Sequence, residues 1–300
     1  MRGHEPCHGG ARRRPSRCWR CRSSSCGSAS ASRAHRDTRA PVEPVPRRGR
    51  LRARSPELAV KVAVFSDVHA NLAALRSVLD DIDRVGVSAR LCLGDSVGYG
   101  ADPRACLDLL LQSCDVLLAG NHDLAASGRM PLDRFSGLAR HAVDYARDLL
   151  TGPQRARLAE LTDEEWWGDL LLVHASPADP SEFPYVRDAD AARGQFDGRR
   201  FRAAFYGHTH LPLAFHDDGE RVGLTVRPRL EMASGVRYLC NVGSVGQPRD
   251  QDPRACWALY DSDARTLSFR RVAYDVDASS ARIREAGLPD ALASRLLVGV

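Results

Sequence analysis

Three times in the first half of the chain, a short run of branched and apolar residues stops at Asp, Asn or His. Each run gives way to residues spaced as on a helix. LAVKVAVF (Leu58 to Phe65) ends at SDVHAN, and Leu75, Val78, Leu79, Ile82 and Val85 then recur at helical spacing with Asp80, Asp81, Asp83 and Arg84 between them. ARLCLG runs into GDSVGYGADP and then CLDLLLQ, while DVLLAG runs into NHD and a helical region reaching Leu150. Short apolar runs without alternation suit strands buried on both faces. Such strands separated by helices commit this part of the chain to a parallel sheet core.

The signal changes after residue 170. Leu170 to Val173, Ala203 to Tyr206, Leu211 to Phe215, Val222 to Val226, Arg237 to Val242, Cys256 to Tyr260 and Leu267 to Val272 are short strand-like runs with turns between them. They predict a second, largely antiparallel sheet. Residues 279 to 298 return to helical spacing, which predicts one terminal helix. No repeat occurs at solenoid spacing.

At 300 residues the chain can bury one main core, which we place at 59 to 300. Residues 1 to 58 hold 15 Arg against 4 acids and no periodic apolar pattern, which predicts a disordered Arg/Ser-rich extension or a start codon placed too far upstream. A transit peptide, a zinc knuckle on Cys7, His8, Cys18 and Cys21, and a basic nucleic-acid arm are competing readings of this segment. Without it, 28 basic and 34 acidic residues remain. That mildly acidic balance gives the folded part no electrostatic footprint for nucleic acid. No apolar run approaches the roughly 18 residues of a membrane span. The five cysteines beyond the tail lie singly, mostly between apolar residues, as small core residues do in a reducing compartment, so a cytoplasmic location is expected.

The ends of the apolar runs carry the chemistry. Asp67 and His69 follow the first, Asp95 the second, Asn121 and His122 the third, His174 the fourth, and His208 and His210 the fifth. Strand ends are where open α/β sheets bind ligands, so five such ends converging is a metal-site pattern. In FYGHTHLP an extended backbone would put His208 and His210 on one face, and Gly207 would let main chain approach whatever they face.

The order DxH, GD, GNHD, H, GHTH over about residues 60 to 275 resembles the calcineurin-like metallophosphoesterases. The resemblance implies an α/β four-layer αββα sandwich of two mixed sheets with two divalent ions in one site, Mn, Fe, Ni, Co or Zn. By motif, Asp67, His69, Asp95 and His210 would hold the first ion, and Asp95, Asn121, His174 and His208 the second. The two imidazoles of GHTH would then serve different ions about 3.5–4 Å apart. Hydroxide made by the pair would attack a small phosphate ester in line, and His122 would protonate the leaving oxygen. No substrate-binding residue or oligomeric state is implied.

The second motif reads GDSVGYG, with Gly98 where the family's phosphoprotein phosphatases and diadenosine tetraphosphatases have an aspartate and Tyr99 where they have an arginine. This disfavours a protein phosphatase and favours the small bacterial phosphodiesterase branch, which NVGSVGQPRD also resembles, although Val242 stands where that branch has proline. A cyclic-nucleotide phosphodiesterase and a non-catalytic protein-binding scaffold on the same fold are the alternatives. Specificity is expected from residues 124 to 140 and 176 to 200. Ser244 and Asn71 read as a turn residue and a helix cap, Trp166 and Trp167 as strand packing, and His141 and His216 as surface residues.

Overall fold

The computed structural model describes residues 61–300, so every reading of residues 1 to 58 lies outside the described residues. The first half of the chain contains β1 (Lys61–Phe65), α1 (Leu72–Val85), β2 (Ala89–Cys92), α2 (Pro103–Ser113), β3 (Val116–Leu117) and α3 (Asn121–Ser127). A 3-10 turn at Leu132–Arg134 and two more helices, α4 (Gly137–Leu149) and α5 (Gly152–Glu160), complete it. The second half contains β4 (Glu164–Trp167), β5 (Leu170–Val173), α6 (Ala189–Gly198), β6 (Ala203–Tyr206), β7 (Leu213–Asp217), β8 (Val222–Thr225) and β9 (Arg229–Glu231). It ends with β10 (Arg237–Asn241), β11 (Ala255–Asp261), β12 (Thr266–Val272), α7 (Val276–Glu285) and α8 (Asp290–Val298).

Two six-stranded mixed sheets result, ordered β3-β2-β1-β11-β12-β9 and β4-β5-β6-β10-β7-β8. The parallel trio β3, β2, β1 forms as the βα alternation predicts. The expectation of a separate, largely antiparallel second sheet is corrected: β11 pairs antiparallel with β1 and carries β12 and β9 into the first sheet. The second sheet keeps a parallel centre of β5, β6 and β10. β11 has apolar residues on both faces, with Ala258 and Tyr260 toward one core and Ala255 and Trp257 toward another. Such a strand is stable only with neighbours on both edges and layers on both faces.

The cores stack in layers. Val62, Val64 and Leu91 of the first sheet meet Leu172, Phe205 and Cys240 of the second. The outer face of the first sheet packs Phe65 and Trp257 against Leu75, Val78 and Ile82 of α1. The outer face of the second packs Phe215 and Leu239 against Phe196 of α6. Helix, sheet, sheet, helix is the four-layer order expected. Each fully buried Leu, Ile or Phe in these cores contributes roughly 1.5–3 kcal/mol. Asn71 caps α1 as expected, its Oδ1 accepting from Ala74 N at 3.2 Å.

The single terminal helix is corrected to two, because the chain breaks between Glu285 and Asp290 at Gly287 and Pro289. The two helices bury Ile283, Leu292 and Leu296 together against Ala142 of α4. His216 is half-buried rather than superficial, packed 6.5 Å from the Tyr238 ring. His141 is exposed. Among the described residues no helix is long and apolar enough to cross a membrane.

Candidate metal centre

The loops that leave β1 and β2 are sewn to each other. Asp67 N donates to Gly94 O at 3.0 Å, His69 N to Asp95 O at 2.9 Å, and Ala70 N to Ser96 O at 3.0 Å. The turn after β10 closes on the same spot, with Gly246 N donating to Asp67 O at 2.9 Å and Ser244 Oγ donating to the same carbonyl at 2.9 Å. Ser244 is therefore a turn residue, as read from sequence. Val242 N donates to Tyr206 O at 2.9 Å, a bond that proline there could not make.

These contacts hold five residues in the left-handed region: Asp67 (φ 56°), His69 (47°), Asp95 (52°), His208 (64°) and His210 (62°). Non-glycine residues hold such angles only where surrounding structure enforces them, and they gather at functional sites. The extended geometry expected for GHTH is thereby overturned. The loop after β6 turns at each histidine, so His208 and His210 converge through left-handed turns and not through strand alternation. Gly207 does allow close approach, since a Cβ there would stand 2.4 Å from Asp67 Oδ2.

Three histidines have one ring nitrogen committed. His69 Nδ1 donates to Val97 O (3.2 Å), His174 Nδ1 to Leu93 O (2.9 Å) and His210 Nδ1 to Gln247 O (2.5 Å). Each thereby turns its Nε2 toward the site, where it offers a lone pair once the ring is neutral. One oxygen of each aspartate is also committed: Asp67 Oδ2 accepts from His208 N (3.0 Å) and Asp95 Oδ1 from His122 N (2.9 Å).

The free atoms form three overlapping groups. Asp67, His69 and His210 meet in one, with His210 Nε2 3.3 Å from Asp67 Oδ1 and 3.1 Å from His69 Nε2. Asp95, His174 and His208 meet in another, and His69, Asp95 and His122 in a third. Asp95 Oδ2 lies between the first two, 3.6 Å from His69 Nε2 and 3.4 Å from His174 Nε2. Asp67 Oδ1, Asn121 Oδ1, His174 Nε2 and His208 Nε2 are buried without hydrogen-bond partners. Two imidazole lone pairs 3.1 Å apart, with both Nδ1 atoms already donating, repel unless a positive charge lies between them. Orphaned acceptors of N and O type are the donor set of a divalent transition metal, so the residues fit the implied ions.

The protein's own groups set steep electrostatics. Burial alone would raise the Asp67 and Asp95 carboxyls, but the histidines facing them hold both below the usual carboxylate range. Burial pulls His69 and His210 down, and pulls His208 to about 3 with help from the His174 charge. His174 goes the other way, to about 9, because the charge and hydrogen bonding of Asp95 outweigh its burial. Burial lowers His122 to about 4, the Asp95 charge opposing it.

His122, in the third group, sits at the start of α3, its ring edge-on to His69 (4.9 Å) and Phe135 (5.1 Å). Its Nδ1 has no partner, and Gly98 is the reason: a Cβ at 98 would stand 2.3 Å from that atom, so no side chain there can orient the ring. Tyr99 instead packs on it at 4.6 Å.

Other residues here have no clear signal in sequence. Asp123, the last residue of GNHD, is one of them. Its carboxylate accepts from Ser96 N (3.1 Å), Val97 N (3.2 Å) and Gly120 N (3.1 Å), which holds the Asp95 loop against α3. Burial and the nearby Asp95 charge push it up to about 7. A cavity of about 260 Å³ opens over Asp95, Asn121, His122 and His208 and is walled by Phe135, Arg134, Glu182, Phe183, Tyr185 and Arg249. Apart from Arg249, these walls come from the two loops from which specificity was expected, joined by the Arg134–Glu182 ion pair at 2.7 Å. Tyr185 stacks on His208 at 4.3 Å and carries Arg187 over its other face at 4.1 Å. Trp166 and Trp167 lie elsewhere, Trp167 against the inter-sheet core.

Comparison with known proteins bears on this geometry. An uncharacterized protein of Methanocaldococcus jannaschii is 32% identical over 242 residues, spanning 79% of this chain and 98% of that one. A crystal structure of a metallophosphoesterase from Sphaerobacter thermophilus is 38% identical, with a TM-score of 0.73 over 81% of this chain and 100% of that one. A hypothetical protein from Pyrococcus horikoshii shares the fold at 19% identity and a TM-score of 0.66, over 80% of this chain and 99% of that one. The profile of the calcineurin-like phosphoesterase superfamily domain matches residues 60–265, and the chain belongs to that superfamily as a metal-dependent phosphoesterase.

Proposed function

We propose that the chain hydrolyses a small phosphodiester at a two-metal centre. Asp67, His69, Asp95 and His210 would hold one ion, and Asp95, Asn121, His174 and His208 the other. The observation carrying this reading is the buried clustering of Asp67, His69 and His210 beside Asp95, His174 and His208, with Asp95 Oδ2 within 3.6 Å of His69 Nε2 and side-chain atoms left without hydrogen-bond partners. Manganese suits the mixed carboxylate, amide and imidazole set. The chemistry supplied by divalent ions is acidification of water and neutralisation of charge on the phosphorus oxygens. A scaffold would not need buried acceptors left unpaired, each of which costs about 1–3 kcal/mol.

The chain's own residues orient and finish the reaction. The backbone carbonyls behind His69, His174 and His210 keep their Nε2 atoms forward, and Asp123 keeps Asp95 in place. His122 is neutral in the free site. Substrate phosphate beside it would raise it, so it donates first a hydrogen bond and then a proton to the leaving oxygen. A cavity of about 260 Å³ favours a compact ester.

The test is hydrolysis by the full chain, metal-stripped and then supplied with Mn²⁺, of bis(p-nitrophenyl) phosphate, its diphenyl counterpart and cyclic AMP. Turnover should require Mn²⁺ and vanish in Asp95→Asn. His122→Ala should lose roughly 10²–10⁴-fold on the phenyl ester, whose leaving group needs a proton, and far less on the p-nitrophenyl ester. Turnover confined to cyclic AMP would move the reading to a cyclic-nucleotide phosphodiesterase. A folded, metal-loaded chain without turnover on any of the three would sink it.

A further inference from the structure

Most half-buried arginines among the described residues pair with a carboxylate, but two adjacent ones beside the centre do not. Arg249 and Arg295 are both partly buried, and both leave Nε buried without an acceptor. Instead of an acid they share one neutral oxygen: Gln247 Oε1 accepts from Arg249 Nη2 at 2.8 Å and from Arg295 Nη1 at 3.5 Å. The acids that could serve them are already committed elsewhere, Asp250 to Arg271 and Asp252 to Arg254. Burial and the Arg249 charge together lower Arg295, so the two cations oppose each other.

Two like charges brought together out of water with no counter-charge are destabilising, and a protein keeps such an arrangement where an anion completes it. The pair also points to a place. Arg249 follows the turn that closes on Asp67, its N donating to His210 O at 3.4 Å. Its guanidinium lies 5.7 Å from the Tyr99 ring centroid and lines the cavity over Asp95, His122 and His208. Arg295 reaches the same glutamine from α8, behind it. A planar guanidinium with an N–H left without an acceptor matches the chemistry of a phosphate oxyanion.

We infer that Arg249, backed by Arg295 across Gln247, is an anion subsite at the rim of the metal centre that takes a phosphate oxyanion of the substrate and of the product. Arg249 contacts the phosphate, and Arg295 and Gln247 are positioning residues. The role rests on the phosphoesterase reading above and deepens it, giving the C-terminal helix a part in substrate binding.

The experiment titrates the full chain with inorganic phosphate by calorimetry, in chelator and at fixed ionic strength, so that affinity reports protein groups alone. Arg249→Gln should weaken phosphate binding at least tenfold, and Arg249→Lys should recover part of it. Gln247→Glu supplies the missing counter-charge without changing shape. It should raise Tm and weaken phosphate binding by a similar factor, whereas the surface variant Arg227→Gln should change neither. A parent that binds no phosphate, or an Arg249→Gln variant within twofold of the parent, overturns the subsite. So does a Gln247→Glu variant with higher Tm and unchanged phosphate affinity, which would make the arginine pair structural. Because the titration needs no turnover, a failed hydrolysis assay would remove the phosphodiesterase reading and leave this result intact.

Discussion

Replacing Gly98 by alanine tests how tightly the site is built around His122. Gly98 has φ +95°, and a Cβ there would stand 2.3 Å from His122 Nδ1, where ordinary contact begins near 3.4 Å. The ring would have to retreat by about 1 Å, and a misplacement of that size costs a reaction about 10²-fold. Stability should fall by roughly 1–2 kcal/mol for the left-handed backbone. A further ~1–3 kcal/mol is lost to overpacking. The control is Gly128→Ala, with φ +89° and nothing within 4 Å of the added Cβ, which should show the backbone cost alone. At about 2–4 °C of Tm per kcal/mol for a domain near this size, Gly98→Ala should melt roughly 4–20 °C below the parent. Calorimetric melting beside phenyl-ester turnover reads both effects. If Gly98→Ala melts no lower than Gly128→Ala and keeps its kcat, the inference that Gly98 exists to seat His122 is wrong.

Adding Mn²⁺ at about 100 times its Kd should stabilise the chain by ~2.7 kcal/mol. That corresponds to roughly 5–11 °C in Tm, reversed by chelator and mostly lost in His174→Ala; a Tm equal in Mn²⁺ and chelator would refute metal binding. Asp81 makes a separate, pH-dependent prediction. Burial would raise its carboxyl, but hydrogen bonds from Arg270 (2.9 Å) and Trp257 (3.1 Å) hold it below its usual 3.8. A depressed carboxyl stabilises fully above its unfolded value and loses that contribution as pH falls through the folded one. Asp81→Asn should therefore cost about 1.5–3 kcal/mol in urea unfolding at pH 7. The gap should close below about pH 4, and a pH-independent gap would refute the charge argument.

All eight residues read from the strand ends meet in one place, because a residue type able to bind metal stands out wherever it stops an apolar run. Asp67 and His210 could be paired by motif although 143 positions separate them. What was not legible depends on partners chosen at long range. The run at Ala255–Asp261 reads as a strand in isolation, but nothing in it says that it lies beside β1 and not β10. His208 and His210 were read as extended, since the left-handed turns are imposed by Asp67 accepting from His208 N and by Gln247 O holding His210. Arg249 could not be recognised at all. An arginine's meaning lies in the carboxylate it lacks, and only the pairing of Asp250 with Arg271 removes the nearest one.

The stitching of the turn after β10 onto Asp67 also dictates when the centre can exist during synthesis. Asp67 is made early, yet its carbonyl waits for Ser244 and Gly246, and its carboxylate for the amide of His208. At roughly 5–20 residues per second, ribosomes take about 10–35 s to travel from one to the other. Through that interval the first three strand ends are exposed with their acids hydrated, and the neighbouring apolar strands lack the β11 edge that covers them. A nascent chain released before residue 246 would thus carry the candidate metal ligands without the turn that gathers them. Holding such intermediates out of aggregation is work for chaperones.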